Sequence, residues 1–220
     1  MANAQPNPKN YFDFKDRKQL VFTDDFDNDN NNWLICEPKG CEIIPDDDTM
    51  PKGDSCYIDG GLMRFSVQPK EKIGRVYVNE ISIDMNFNRN FEIEFRAHIY
   101  GDNDNYNFGT IYWGRPCNSI NGNNVYFGHK GLRIFYSNLQ FDDSLHPDAD
   151  ESLTIPRSHQ KNTYNTYVIR KYDNKYYVFI NNEFIGKCPY IPLTGNIIGL
   201  GKSTNNSGEF DYIKIYYLPD

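Results

Sequence analysis

Near the start of the chain, "FTDDFDNDNNNWL" from Phe22 to Leu34 places eight Asp or Asn residues between the aromatic anchors Phe22, Phe26 and Trp33. Carboxylate and amide oxygens at this density make either a solvated turn or ligands for a hard cation such as calcium, which takes about 6–8 oxygens. Asp27-Asn28-Asp29-Asn30-Asn31 begins like an EF-hand loop but lacks the following Gly and the distant Glu. Two carboxylate pairs invite an acid–base role: Glu92 with Glu94, and Asp142 with Asp143. Hydrolysis of a glycosidic bond needs two carboxyl groups facing each other at about 5–5.5 Å or about 6.5–9.5 Å. Carboxylates at i and i+2 on a strand are ordinarily its wet face, so no catalytic residue is assigned. His98, His129, His146 and His159 show no metal-ligand spacing. No Ser or Cys stands in a nucleophile elbow, and no glycine-rich loop opens a helix to cradle a phosphate.

Carbohydrate binding fits the remaining polar and aromatic residues better. Sugar rings have apolar C–H faces and hydroxyl rims, so they are held by aromatic faces edged with amide and guanidinium groups. "NFGTIYWGRP" and "NNVYFGHKGLRIFY" supply Tyr112, Trp113, Arg115, Asn124, Tyr126, His129 and Arg133 within neighbouring strands. The polar side of "FEIEFRAHI" adds Arg96 and His98. The expectation is that these nine residues line one concave face centred on Trp113 and Tyr126. Trp33 and Phe127 are assigned to the core.

The elements that must position these residues are strands. In "FEIEFRAHIY", Phe91, Ile93, Phe95, Ala97 and Ile99 alternate with polar neighbours, the pattern of a strand with one side on a core. "ISIDMNF" repeats it with Ile81, Ile83, Met85 and Phe87, while Val76 and Val78 lie on the opposite parity and predict a bulge or bend near Asn79. "YNTYVIRKYDNKYYVFINNEFIGK" reads as three strands joined at Asp173-Asn174 and Asn181-Asn182, because Asn and Asp tolerate the positive φ of tight hairpins. In "GEFDYIKIYYL", Ile213, Ile215 and Tyr217 share a face. Short strands with frequent turn signals predict an all-β, two-sheet antiparallel β-sandwich or barrel. The apolar set leans to Tyr, Phe, Ile and Val, which suits pleated surfaces. Residues 19–220 are expected to form one domain after a flexible tail of residues 1–18, and "FDDSLHPDADESLTIPRSHQKN" is expected to be a long surface loop.

Charge and termini narrow the partners. A formal net charge of −7 over 220 residues argues against nucleic acid and anionic membranes, which need basic patches. No apolar run approaches the roughly 18–20 residues of a membrane span. Ala2-Asn3-Ala4 has the A-x-A form of a signal-peptide cleavage site, so a secreted, periplasmic or cell-surface protein is expected. Of the five cysteines, Cys36 and Cys41 enclose a loop closable as a disulfide, and the odd count leaves at least one thiol outside any intrachain pairing.

The order "TDDFDNDNNNW", "IDGGLMRFSV", "FEIEFRAHI", "FGTIYWG", "YNTYVIRKYDNKYYVFINNEFIG" and "FDYIKIYYL", spanning roughly residues 20–217, resembles the concanavalin A-like jelly roll. Laminarinase-type glucanases, laminin-G-like modules and 3-keto-disaccharide hydrolase-like domains share that order. The resemblance implies a curved sandwich and, by its glucanase branch, a structural calcium on the convex side. The matching positions are the Asp24-Asp25 region, Gly60 or Gly61, and Asp211, with Asp25, Gly61 and Asp211 taken as the ligand set. The E-x-D-x-x-E motif of laminarinase-type enzymes is absent; the strand that should carry it reads "NNVYFGHKG". The function implied is a non-catalytic, lectin-like extracytoplasmic module that holds a saccharide. The alternatives are a glycoside-hydrolase-like enzyme of the 3-keto-disaccharide hydrolase-like kind and an extracellular laminin-G-like module with a protein partner.

Overall fold

A computed structural model describes residues 17–33, 56–66, 76–100, 109–116, 122–128, 131–137, 163–203 and 207–219, together with Phe14 and Gln160. Within these residues the chain forms strands and no α-helix: β1 (Gln19–Asp24), β2 (Cys56–Asp59), β3 (Leu62–Phe65), β4 (Val76–Ser82), β5 (Phe91–Tyr100), β6 (Gly109–Arg115), β7 (Gly122–Gly128), β8 (Gly131–Ser137), β9 (Asn165–Tyr172), β10 (Lys175–Ile180), β11 (Glu183–Pro189), β12 (Ile197–Ser203) and β13 (Ser207–Tyr217). They build two antiparallel sheets. The larger runs β11-β10-β9-β5-β13-β3-β2, with β1 also on β13; the smaller runs β4-β12-β6-β7-β8. No helix among the described residues is long and apolar enough to cross a membrane.

Alternation explains how the sheets meet. Phe91, Ile93, Phe95, Ala97 and Ile99 of β5 are all buried, as their period of two predicts. They pack with Tyr167, Ile169, Val178, Phe210, Ile213 and Ile215 against Ile81, Ile111, Trp113, Val125, Phe127, Ile198 and Leu200 of the smaller sheet. Phe127 is the interlock, its ring 4.7 Å from Tyr167, 5.1 Å from Phe95 and 5.9 Å from Phe210. The hairpins form where expected. Asp173, Asn174, Asn181 and Asn182 all have positive φ, as do Gly60 and Gly61 between β2 and β3.

The expected bulge near Asn79 does not occur. β4 pairs with β12 in unbroken register from Val76 to Ser82. Asn79 is itself buried on the core-facing parity, so an inward polar residue, not an inserted one, accounts for the shift in pattern. Ile83, Met85 and Phe87 are buried as read, although the strand has ended at Ser82.

The acidic knot closes on one carboxylate. Asp24, at the end of β1, is buried. Its Oδ1 accepts from the Phe26 amide at 2.8 Å, and its Oδ2 from Trp33 Nε1 at 2.7 Å and Asn31 Nδ2 at 2.6 Å. These bonds let Phe26 take a positive φ and seat Phe26 and Trp33 in the core with edge-on rings 6.1 Å apart.

Upstream of β1, Phe14 is buried against Tyr172, and Lys18 pairs with Glu92. These two residues, counted in the tail by composition, are therefore packed on the larger sheet. Their anchors lie over 70 residues away and leave no local trace in the sequence. Glu92 itself differs from its expected place on a wet face. It is fully buried, bound by Lys18 on one oxygen and by Arg170 on the other through Nε, at 2.6 Å, and Nη2. Cys36, Cys41, Cys117, the Asp142-Asp143 pair and nearly all of the long polar loop lie outside the described residues.

Two stability predictions follow from these carboxylates. Asp24→Ala strands three donors, two of them on buried residues, and is expected to lower unfolding free energy by about 3 kcal/mol in urea titrations, with Asp24→Asn losing less. Glu92→Gln leaves two cations facing an uncharged group and is expected to lose about 3 kcal/mol in the same measurement.

Candidate functional site

In the smaller sheet, parity decides which residues reach the outer surface. Asn123, Val125 and Phe127 of β7 are buried on the inner side, so Asn124 and Tyr126 face outward and are half-buried. On β6, Ile111 and Trp113 point inward while Thr110 and Tyr112 take the outer side by parity, both buried there. Cross-strand register aligns Tyr112 with Asn124 and Thr110 with Tyr126. Arg133 of β8 pairs in register with Tyr126. On the other flank, Gly199 and Gly201 of β12 lie opposite Tyr112 and Thr110, so no side chain rises between β6 and β4 at those two rows.

A bulge adds the arginine. Strict alternation would turn Arg115 inward with Trp113. Gly114, at φ 72°, is instead the extra residue of a register shift opposite Ile197 and Ile198. A side chain there is excluded twice, by the backbone conformation and by Leu193, whose Cδ1 would lie 2.3 Å from a Cβ. Arg115 therefore emerges on the same face as Tyr112. Its Nη1 donates to Glu80 Oε1 at 2.5 Å and to the Tyr112 hydroxyl at 3.3 Å, and its guanidinium lies 5.6 Å from the Tyr112 ring centroid. Burial pushes the Glu80 carboxyl up from the ordinary range, and Arg115 opposes that shift. The trio Glu80–Arg115–Tyr112 forms a fixed floor, and Asn124 and Tyr126 stand beside it as the more accessible groups.

Five of the nine expected ligand residues thus belong to one sheet and one region: Tyr112, Arg115, Asn124, Tyr126 and, by register, Arg133. Trp113 does not join them. It is fully buried between the sheets, donating from Nε1 to the Tyr176 hydroxyl at 3.3 Å, because adjacent residues on a strand face opposite sides. Arg96 and His98 are also displaced. They sit on the outer face of the other sheet, on β5, so the whole core separates them from Tyr112. There Arg96 Nη1 donates to Asp211 Oδ2 at 2.5 Å, and His98 lies 3.9 Å from the Tyr100 ring centroid. His129 lies outside the described residues.

Glu80 was not anticipated. Its signal was the odd parity of Val76 and Val78, which, followed straight through, brings Glu80 to the outer face opposite Gly199.

The expected calcium residues meet at a junction. β13 leaves β3 after Phe210 and takes up β1 from Ile213, so Asp211 lies at the changeover. The Asp25 carbonyl oxygen would stand 3.9 Å from a Cβ on Gly61. The carboxylates at this junction already have partners: Asp211 holds Arg96, and Asp25 Oδ1 receives the Asp27 amide at 3.5 Å. Among the described residues no group of three or more His, Cys, Asp or Glu side chains forms a metal cluster. A cation here would have to rest chiefly on main-chain carbonyls.

No family model matches the sequence, and no curated protein matches it significantly. Solved structures do match. One reported under endo-acting O-glycanases of the human gut microbiota aligns with a TM-score of 0.57 at 11% identity, covering 91% of this chain and 100% of that one. The carbohydrate recognition domain of Emp47p gives 0.56 at 13% identity, over 78% and 91% of the two chains. The Bacillus licheniformis beta-glucanase gives 0.53 at 10% identity, over 91% and 99%. At these identities the likeness concerns the fold, and with two antiparallel sheets in this order the chain is a β-sandwich of the concanavalin A-like jelly-roll type.

Proposed function

We propose that the chain is a non-catalytic, exported carbohydrate-binding module that holds a saccharide against the outer face of the five-stranded sheet. The observation that carries this reading is the convergence of Tyr112, Arg115, Asn124 and Tyr126 on that face, over a strand bearing glycine at two successive outward positions. The Tyr126 ring offers a stacking surface, Asn124 offers both a donor and acceptors for hydroxyl groups, and the Glu80–Arg115–Tyr112 unit keeps the floor rigid. The fold shared with the Emp47p recognition domain is compatible with this role. Glu80 is the one carboxylate that register places on this face among the described residues, and Arg115 already holds it. A pair of opposed acids, which glycoside hydrolysis requires, is what a catalytic reading would need in addition.

A glycan array tests the reading directly, and a total lack of binding across neutral and acidic glycans would overturn it. For a glycan whose binding is lost on changing the five-stranded face, Tyr126→Ala is expected to weaken affinity about tenfold, or about 1.4 kcal/mol, by isothermal titration calorimetry. A retained glycan indifferent to both Tyr126→Ala and Arg115→Ala is not held on this face. Arg96→Ala, on the opposite sheet, is expected to leave that affinity within about twofold. Arg115→Ala is expected to weaken binding by releasing the Tyr112 hydroxyl and leaving Glu80 without its cation.

Calcium at the Asp25–Gly61–Asp211 junction is a separable part of the proposal, supported by the meeting of those three backbones. Added to chelated protein, calcium is expected to raise the melting temperature by several degrees. An unchanged melting curve removes the ion and leaves the saccharide site standing.

A further inference from the structure

The outer face of the eight-stranded sheet carries a second constellation, separated from the first by the core. A straight cross-strand row runs from Tyr57 on β2 to Arg64 on β3, Glu209 on β13 and His98 on β5. Three strand spacings make it about 14 Å long. Tyr100, two residues along β5, and Tyr164, just before β9, close over its centre. Both hydroxyls donate to Glu209 Oε2, from Tyr100 at 2.7 Å and from Tyr164 at 2.5 Å. Glu209 Oε1 instead faces Arg64, with Nε at 3.4 Å.

The electrostatics hold this arrangement in one protonation state. Burial pushes the Glu209 carboxyl up, but hydrogen bonds from Tyr164 and Tyr100 and the charge of Arg64 outweigh it and hold the group below its ordinary range. Burial, then the neighbouring Glu209, pushes the Tyr100 phenol up to about 12. A fixed anionic acceptor therefore stands beside a permanent guanidinium donor.

The surroundings are unusual for a solvated sheet. Among the described residues three large hydrophobic side chains are exposed, and two of them bracket the Arg64–Glu209 pair, Tyr57 at 42% on the Arg64 side and Tyr100 at 38% on the Glu209 side. Each ring covers one side of an acceptor–donor pair. Adjacent hydroxyls of a sugar ring match that pair, one donating to Oε1 and its neighbour accepting from Arg64, while the C–H faces lie on tyrosine. A protein partner held by charge would ask for an excess of one sign. Here Arg64 is shared by Glu209 at 3.4 Å and Asp59 at 3.9 Å, and Arg96 holds Asp211, so the charges are engaged with one another and a neutral, hydroxyl-rich ligand suits the face.

From this geometry we propose a second saccharide-binding site on the eight-stranded sheet, taking a neutral oligosaccharide through a vicinal diol at Glu209 and Arg64 and stacking it on Tyr57 and Tyr100. The site is independent of the one on the five-stranded sheet, and the two can fail separately.

The test is amide-resolved NMR titration of the isotopically labelled protein with neutral trisaccharides of glucose, mannose, galactose and fructose. At least one probe is expected to shift the amides of Arg64, His98 and Glu209. The Tyr57→Ala/Tyr100→Ala double variant is expected to weaken that response at least tenfold, and Tyr126→Ala to leave it unchanged. Glu209→Gln serves as a second variant with no ring removed and is expected to weaken the response similarly; spectra of each free variant establish that it is folded. The proposal is overturned if none of the probes moves these amides, if shifts are confined to β6 and β7, or if the shifts survive in the folded variants.

Discussion

The contact on which the molecule rests is the aromatic interlock of Phe127 with Phe95, Tyr167 and Phe210. It joins the two sheets across the core, and burial of large rings is the strongest favourable term such a sandwich has. Once those rings are inside, the pleat leaves every neighbouring residue only one choice, the outer face of its own sheet. Both candidate ligand surfaces are consequences of that constraint. Each consists of the side chains that alternation turned away from the interlock, and the core itself prevents them from cooperating on a single ligand.

Irregular positions then refine what alternation begins. Gly114 inserts one residue into β6 and turns Arg115 out beside Tyr112, at a position where any side chain would strike Leu193. On the other sheet, the shift between Phe210 and Tyr212 makes Asp211 an extra residue of β13, and its carboxylate reaches Arg96. In both cases a bulge converts a repetitive surface into a specific arrangement of charges. Buried polar groups follow a stricter rule. Asp24 and Glu92 lie out of water because every carboxylate oxygen there meets a donor.

Much of this was legible in the residues. The alternation of β5, the paired Asn and Asp turns and the two-sheet class all followed from side-chain period and backbone tolerance. Parity also held the correct answer for Trp113, because a strand cannot turn Tyr112 and Trp113 to the same side. What could not be read was long-range pairing. Nothing near Arg96 or His98 says which of two sheets β5 will join, and nothing near Glu92 announces Lys18 and Arg170. The bulge expected at Asn79 failed for a related reason. A buried asparagine and a bulge produce the same pattern of hydrophobicity, and only the register with β12 separates them.

The placement of β13 bears on how the protein comes to exist at all. The final strand lies inside the larger sheet, along β5 on one side and against β3 and then β1 on the other. A ribosome delivers it after all the other described strands. Until then β5, β3 and β1 have no common neighbour, and their open edges are places where a second nascent chain could pair by mistake. Closure by a strand almost 200 residues from its first partner also makes for a high contact order and slow folding. The zipper that completes the sandwich is drawn only after the strands it joins have all been made.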